Sequence, residues 1–331
     1  MSKQSKVALW LFSAVLLASA GCGNDGGGAG PVSSSSQSLI APNGNSSTVT
    51  FYRSKSSGDA KPRKTLTGSN TTLDNPQDVY VDSAGAVYVA NDQTNPPTEN
   101  SNGSIAVFAA KSFGDTAPTR TIVGDNTRLQ NPEGVIVDSA GQIYVANAGG
   151  NTICVYPAGS NGDAEPILSI NGPATGLRMP EDVALDQAGD LFVANTAANS
   201  ITEYAPGANG NAAFIARIYG LSTSLKSPDA LAFDASGNLY VANFEGDSIT
   251  IYPPNSNGDV PPSAIISGTA TGIDGPGGLA IDRKGNLLVS SSLNNSILTF
   301  TSGASGDVAP VAVLAGSATA LDLPFGIALK L

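Results

Sequence analysis

Hydrophobic positions come in short runs that restart on one pattern. Starts fall at Pro76, Pro132, Pro180, Pro228 and Pro276, with a sixth at Pro324 close to the end of the sequence. The last four intervals are 48 residues each and the first is 56. Residues 228–275 show the unit best. The runs ALAF, NLYVA, SITIY and SAIIS alternate with DASG, NFEGD, PPNSNGDVP and a Gly/Thr/Asp loop. None is long enough for a helix, and all are rich in β-branched and aromatic residues, so each predicts a strand. The first two runs are apolar almost throughout, as in strands covered on both faces. SITIY alternates more, as an outer strand would.

Four strands whose inner members are sandwiched by neighbours, repeated at this period, predict an all-β fold of propeller blades. The sixth start stops short, and residues 38–66 read like the back of a repeat. A ring closed by both ends of the chain explains this split; a linear solenoid does not. The expectation is a six-bladed β-propeller of four-stranded blades. Its closing blade takes strand a from residues 324–329 and strands b, c and d from 39–41, 48–52 and 64–66.

Repeating polar residues serve the blade in this reading. Asp82, Asp138, Asp186, Asp234 and Asp282 each open a D-x-x-G, a turn in which Asp caps the backbone and Gly accepts positive φ. Lys330 holds this place in the closing blade. The N-G-D segments at Asn161 and Asn257, with relatives at Gly58, Gly114 and Gly306, predict hairpin turns between strands c and d. Asn91, Asn147, Asn195 and Asn243 end strand b and are expected to bond loop backbone. Cys154, in TICVY, reads as a small apolar filler.

A ligand site is expected where the repeat breaks. The two residues after each start proline are Gln77-Asp78, Glu133-Gly134, Glu181-Asp182, Asp229-Ala230, Gly277-Gly278 and Phe325-Gly326. Four consecutive blades carry acid there, which predicts an acidic half-ring at one mouth of the channel. Asp78, Glu133, Glu181, Asp182 and Asp229, with Phe325 and a nearby Phe244, are the candidate ligand-binding residues. A divalent cation such as calcium, with Glu133 and Glu181 as candidate ligands, or a cationic molecule would suit such a ring. Solvated loop acids partly neutralised by Arg178 and Lys226 are the plainer alternative. The eight extra residues of the first interval fall within 91–104, and Phe244 and Leu293 occupy equivalent loops in other blades.

Composition narrows the chemistry. The 331 residues carry no His and a net charge of −11. Without His, Ser-His-Asp and Cys-His nucleophiles and His-based zinc sites are excluded. The acidic balance argues against nucleic acid. No cofactor is expected beyond a divalent cation, and no catalytic residue stands out.

Residues 1–21 read as an export signal: Lys3 and Lys6, then a 12-residue apolar run from Val7 to Ala18. Ala20-Gly21-Cys22 resembles a lipobox, with Ser19 where that pattern usually has Leu. Ala18-Ser19-Ala20 would instead suit an ordinary signal peptidase. Lipidation at Cys22 is favoured because residues 22–37 form a Gly/Ser-rich tether. The expectation is a monomer at the cell envelope, an outer-membrane or surface lipoprotein touching membrane only through its anchor. The alternative is a soluble secreted or periplasmic protein. Its partner would be a protein, a peptide or a small molecule.

The segments PEGVIVDSAGQIYVAN and PDALAFDASGNLYVAN resemble NHL-type repeats of bacterial six-bladed propellers, over residues 38–331. The resemblance implies a binding or scaffolding module. Enzymes similar in fold, the streptogramin lyases and the amidating lyase, use a catalytic His that this chain lacks. Gluconolactonase-like propellers bind a divalent metal through Glu, Asn and Asp. That second resemblance implies a metal-dependent lactonase or hydrolase as the alternative, with Glu133 or Glu181 as the glutamate and Asn147 and Asn195 near it.

Overall fold

The computed structural model describes residues 37–92 and 103–330. Among them are six four-stranded antiparallel sheets. Blade 4 is typical: strand a Pro228–Phe233, b Leu239–Asn243, c Ser248–Tyr252 and d Ala264–Ser267. Blades 1, 2, 3 and 5 follow the same order within residues 76–122, 132–170, 180–219 and 276–315. In the closing blade, Ala328–Lys330 pairs with Ser38–Asn43, which continues to Thr48–Arg53 and Lys64–Leu66. Leu39 lies opposite Leu329, and Ile40 opposite Ala328. The six-bladed propeller with a split closing blade is therefore observed.

One expectation about the strands changes. Strand c is not an outer strand: Ser248–Tyr252 is buried at every position. Strands a to c are all sandwiched by neighbouring blades, and only the short strand d forms the rim. The six apolar clusters each span adjacent blades; one joins Ala230, Ala242 and Ile249 to Leu279, Leu287 and Val289. The core thus lies between blades, and each blade needs its neighbour.

Hydrogen bonds also cross between blades. The c–d turns reach back to the preceding blade. Asp163 Oδ1 accepts the Asn126 N–H at 2.7 Å, and Asp59, Asp115, Asn211, Asp259 and Asp307 do the same at 2.6–2.7 Å. These segments are turns as expected, but their acids are latches. The D-x-x-G acids cap their own turns: Asp234 Oδ1 accepts the N–H groups of Ser236 and Asn238, with Gly237 at φ 81°.

Strands a run from the Pro end to the D-x-x-G end. One face of the ring therefore carries the residues after each Pro and the b–c loops. The opposite face carries the a–b and c–d turns. In five blades the ladder shifts register just after the starting Pro. Such a bulge re-aims the side chains beside it, and here it turns the residues that follow each Pro toward the channel.

Candidate functional site

The channel holds a cavity of about 370 Å³ lined by the strands a of all six blades. Asp78, Glu133, Glu181, Asp182, Asp229 and Phe325 all line it, so the sequence-derived half-ring is assembled. No Lys or Arg does. Beyond the acids the wall turns apolar, through Val135, Val183 and Leu231 to Leu185 and Phe233.

The five acids divide into two kinds. Asp78 and Asp182 are tied to the next blade: Asp78 Oδ2 accepts the Val135 N–H at 2.9 Å, and Asp182 Oδ2 the Leu231 N–H at 2.8 Å. Each needs a small residue on its other side. A Cβ on Gly134 would lie 2.8 Å from Asp182 Oδ1, and one on Gly326 would collide with Asp78 Oδ1. These two carboxylates and the glycines between them set blade spacing at the mouth. Glu133, Glu181 and Asp229 sit one residue earlier, next to Pro, and are half-buried. They are the acids presented to a ligand.

Burial dominates the electrostatics. It pushes Asp78 up to about 6 against backbone donors that lower it, and Glu181 up to about 7 with help from the Asp92 charge. Glu133 is raised well above the usual carboxylate range by burial and then by Glu181, Asp92, Asp229 and Asp78. Burial, Glu181, Asp182 and Asp78 do the same to Asp229. Asp182 is raised by burial and Asp78 against its two backbone donors. Like charges held together out of water disfavour ionisation, so the mouth favours the protonated carboxyls.

Asp92 belongs to this set and escaped the sequence reading. Buried just after strand b of blade 1, it accepts the Asn131 amide at 2.6 Å and the Asn75 amide at 3.4 Å. Its repeat equivalents are Ala148, Thr196, Phe244, Ser292 and Gly44. An acid among these was the available signal, masked by the insertion that follows it. Most of that insertion lies outside the described residues.

Several other expectations change. Phe244 does not line the cavity; it packs at the b–c loop of blade 4, where a Cβ on Gly275 would meet both Phe244 and Leu293. Arg178 and Lys226 do not neutralise the ring. Arg178 is exposed, and Lys226 Nζ donates to the Glu245 carbonyl at 2.7 Å. Asn147 and Asn195 are fully buried, and their Oδ1 atoms accept the N–H groups of Gln130 and Arg178 at 3.2 and 3.1 Å. Asn91, Asn243 and Asn43 hold the matching loops, as does Ser291 in blade 5. These asparagines bond loop backbone as expected and are not free to ligate a metal. Among the described residues no group of three His, Cys, Asp or Glu side chains is placed to hold a metal ion. Cys154 is buried and free, as its filler role requires.

No family model matches the chain, and no curated protein matches its sequence. Solved structures do match its fold. A protein of unknown function from Bacteroides caccae aligns with a TM-score of 0.65 at 13% identity, over 89% of this chain and 99% of its own. A chain of the nidogen–laminin complex gives 0.62 at 16% identity, over 89% and 98%. A candidate 6-phosphogluconolactonase from Bacteroides fragilis gives 0.56 at 16%, over 91% and 99%. At these identities the likeness establishes the fold alone.

Proposed function

We propose that this chain is an exported, NHL-like propeller that acts as a binding module. Its channel mouth takes an organic cation with an apolar part beside the charge. The observation that carries this reading is the composition of the mouth. Among the described residues, five carboxylates and no basic side chain line one side of a 370 Å³ cavity whose other side is Phe325, Gly277 and Gly278. An ammonium or guanidinium group placed against Glu133, Glu181 and Asp229 would favour their ionised forms. The Phe325 ring offers the face or edge for the attached carbon skeleton.

Binding of this kind releases protons, because burial and neighbouring acids hold the carboxyls above their ordinary range. Affinity for a cation therefore rises from pH 5 to pH 8. Calorimetry with phenethylammonium, run in buffers of different ionisation heat, is the test. Expected are proton release, binding more than about tenfold tighter at pH 8 than at pH 5, and loss of binding in Glu133→Gln/Glu181→Gln. Absence of heat with phenethylammonium would sink the reading.

The lactonase alternative is weaker. It needs oxygen ligands converging on a metal, and the asparagines it would recruit are committed to loop backbone. The likeness to the Bacteroides fragilis protein extends to fold only.

Residues 1–21 are proposed as the export leader, Cys22 as the lipid-attachment site and 22–37 as the tether. All but Gln37 lie outside the described residues. Mass spectrometry of the mature protein should find an acylated Cys22; an unmodified start at Gly21 would overturn the anchor.

A further inference from the structure

A second cavity, of about 390 Å³, lies between the closing blade and blade 1. Its lining includes Arg63, Lys64, Lys111 and Lys330 and, among the described residues, no acidic side chain. In a chain with only 16 Lys and Arg against 27 Asp and Glu, four cations around one cavity with no acid among them is a marked local reversal. Arg53, Lys55 and Lys61 lie on the same c–d hairpin of the closing blade as Arg63 and Lys64. The interior is apolar: Ile40, Leu66 and Val87 are buried in its wall, with Phe51 and Val81 beside them.

The fold explains why this cavity exists here. In blades 1 to 5 a D-x-x-G turn joins strand a to strand b. In the closing blade the two strands, Ala328–Lys330 and Ser38–Asn43, come from distant parts of the sequence, so no such turn joins them. Where five blades place the Asp that opens this turn, the closing blade places Lys330, reversing the charge. Lys330 Nζ stands directly against Gly85, in the a–b turn of blade 1. The nearest acid in sequence, Asp82, is engaged in its own turn through the Ala86 N–H at 2.8 Å. Lys64 Nζ donates to the Lys111 carbonyl at 3.2 Å, which brings the c–d turn of blade 1 to the cavity. Ser38 and Ser112 add hydroxyl donors at the lining.

We propose that this joint is an anion site for a phosphate group carrying an apolar substituent. The phosphate would be held by Lys330, Arg63, Lys64 and Lys111, and the substituent would enter against Ile40, Phe51 and Val81. Lysine and arginine donors suit phosphate oxygens. The site faces away from the acidic mouth, at the other end of strand a, so both can be filled together.

A free phosphomonoester and a phospholipid headgroup share this chemistry, and the test separates them. The full chain, with Cys22→Ser so that no acyl group contributes, is titrated with inorganic phosphate and with hexyl phosphate. It is then co-sedimented with phosphatidylcholine vesicles, with and without about a fifth phosphatidylglycerol. Hexyl phosphate should bind tighter than inorganic phosphate. Added phosphatidylglycerol should increase sedimentation if the headgroup is the source, and leave it unchanged if the free phosphomonoester is. Each removed charge should weaken binding about fivefold, and reversal about 25-fold. The variants are Lys330→Asp, which restores the residue of the other blades, and Lys111→Asn on the exposed turn. Lys111 has φ 73°, which Asn tolerates, so this variant keeps the fold if Lys330→Asp disturbs strand pairing. Glu133→Gln should bind hexyl phosphate as the parent does. Failure to bind either phosphate or vesicles, or unchanged binding in both lysine variants, overturns the proposal. Neither result bears on cation binding at the mouth.

Discussion

The acidic mouth and the basic joint lie at opposite ends of strand a and arise in different ways. The mouth is made within intact blades, by substituting residues at positions where the scaffold tolerates change. Asp78, Glu133, Glu181 and Asp229 follow their prolines where blade 5 has Gly277 and Gly278. The joint is made where a structural element is missing, because no a–b turn connects Lys330 to Ser38. One site costs folding energy by crowding like charges. The other occupies the seam on which ring closure depends. The two therefore respond to mutation with opposite signs.

The largest effect is expected at the seam. Removing residues 324–331 deletes strand a of the closing blade, with the buried Ile327 and the partners of Leu39 and Ile40. Burial of each large apolar side chain is worth about 1.5–3 kcal/mol, against a total stability on the order of 5–15 kcal/mol. The melt monitored by circular dichroism should fall by more than about 10 °C or lose cooperativity. An unchanged melt would contradict closure by these strands.

At the mouth the sign reverses. The carboxyls titrate higher in the folded chain than in the unfolded one. Their contribution to stability is therefore intact below the unfolded values near 4 and is lost as pH rises through the folded ones. That window runs through about 6 for Asp78 and about 7 for Glu181, and Glu133 and Asp229 are likewise raised well above the usual carboxylate range. Glu133→Gln/Glu181→Gln/Asp229→Asn should raise the melting temperature by about 2–10 °C at pH 8 and hardly change it at pH 4. A melting temperature lowered at pH 8 would mean that these acids hold the ring together, and the distinction between mouth and seam would fail.

What the sequence made legible follows the range of each interaction. Strands, a–b turns and closure depend on local pattern and one period, so they were readable from residues such as Asp234, Gly237 and Leu39. The half-ring was readable because a side chain next to each Pro falls at one height in every blade. The latch from Asp163 to Asn126 was not, because it joins a turn to the preceding blade, 37 residues away. Asp92 was missed because its neighbours in the ring, Glu133 and Glu181, come from other repeats. Phe244 was assigned to the channel from its repeat position, which does not say whether a b–c loop reaches the cavity wall. The basic joint was visible only as Lys330 standing where Asp was due; the cavity beside it needed the two distant strands to be brought together.

The smallest expected effect concerns how firmly each mouth acid is held. In the closing blade and in blades 3 and 4, the Asn that ends strand b also donates to a Thr on strand c. These pairs are Asn43–Thr50 at 3.1 Å, Asn195–Thr202 at 2.9 Å and Asn243–Thr250 at 3.1 Å. In blade 5 both partners have changed, to Ser291 and Leu298, and no donor is stranded. Blade 2 changed only one: Cys154 replaces Thr, and the buried Asn147 Nδ2 has no partner among the described residues. The Oδ1 of the same Asn147 holds the loop before Pro132, next to Glu133. Cys154→Thr should supply the missing acceptor, stabilise the chain by about 1 kcal/mol and raise the melting temperature by about 2–4 °C. It should also slow amide exchange at Gln130 relative to Arg178 and Lys226, the matching loop residues of blades 3 and 4. If neither the melt nor the exchange responds, Asn147 is already satisfied by ordered water, and Glu133 is held as firmly as Glu181 and Asp229.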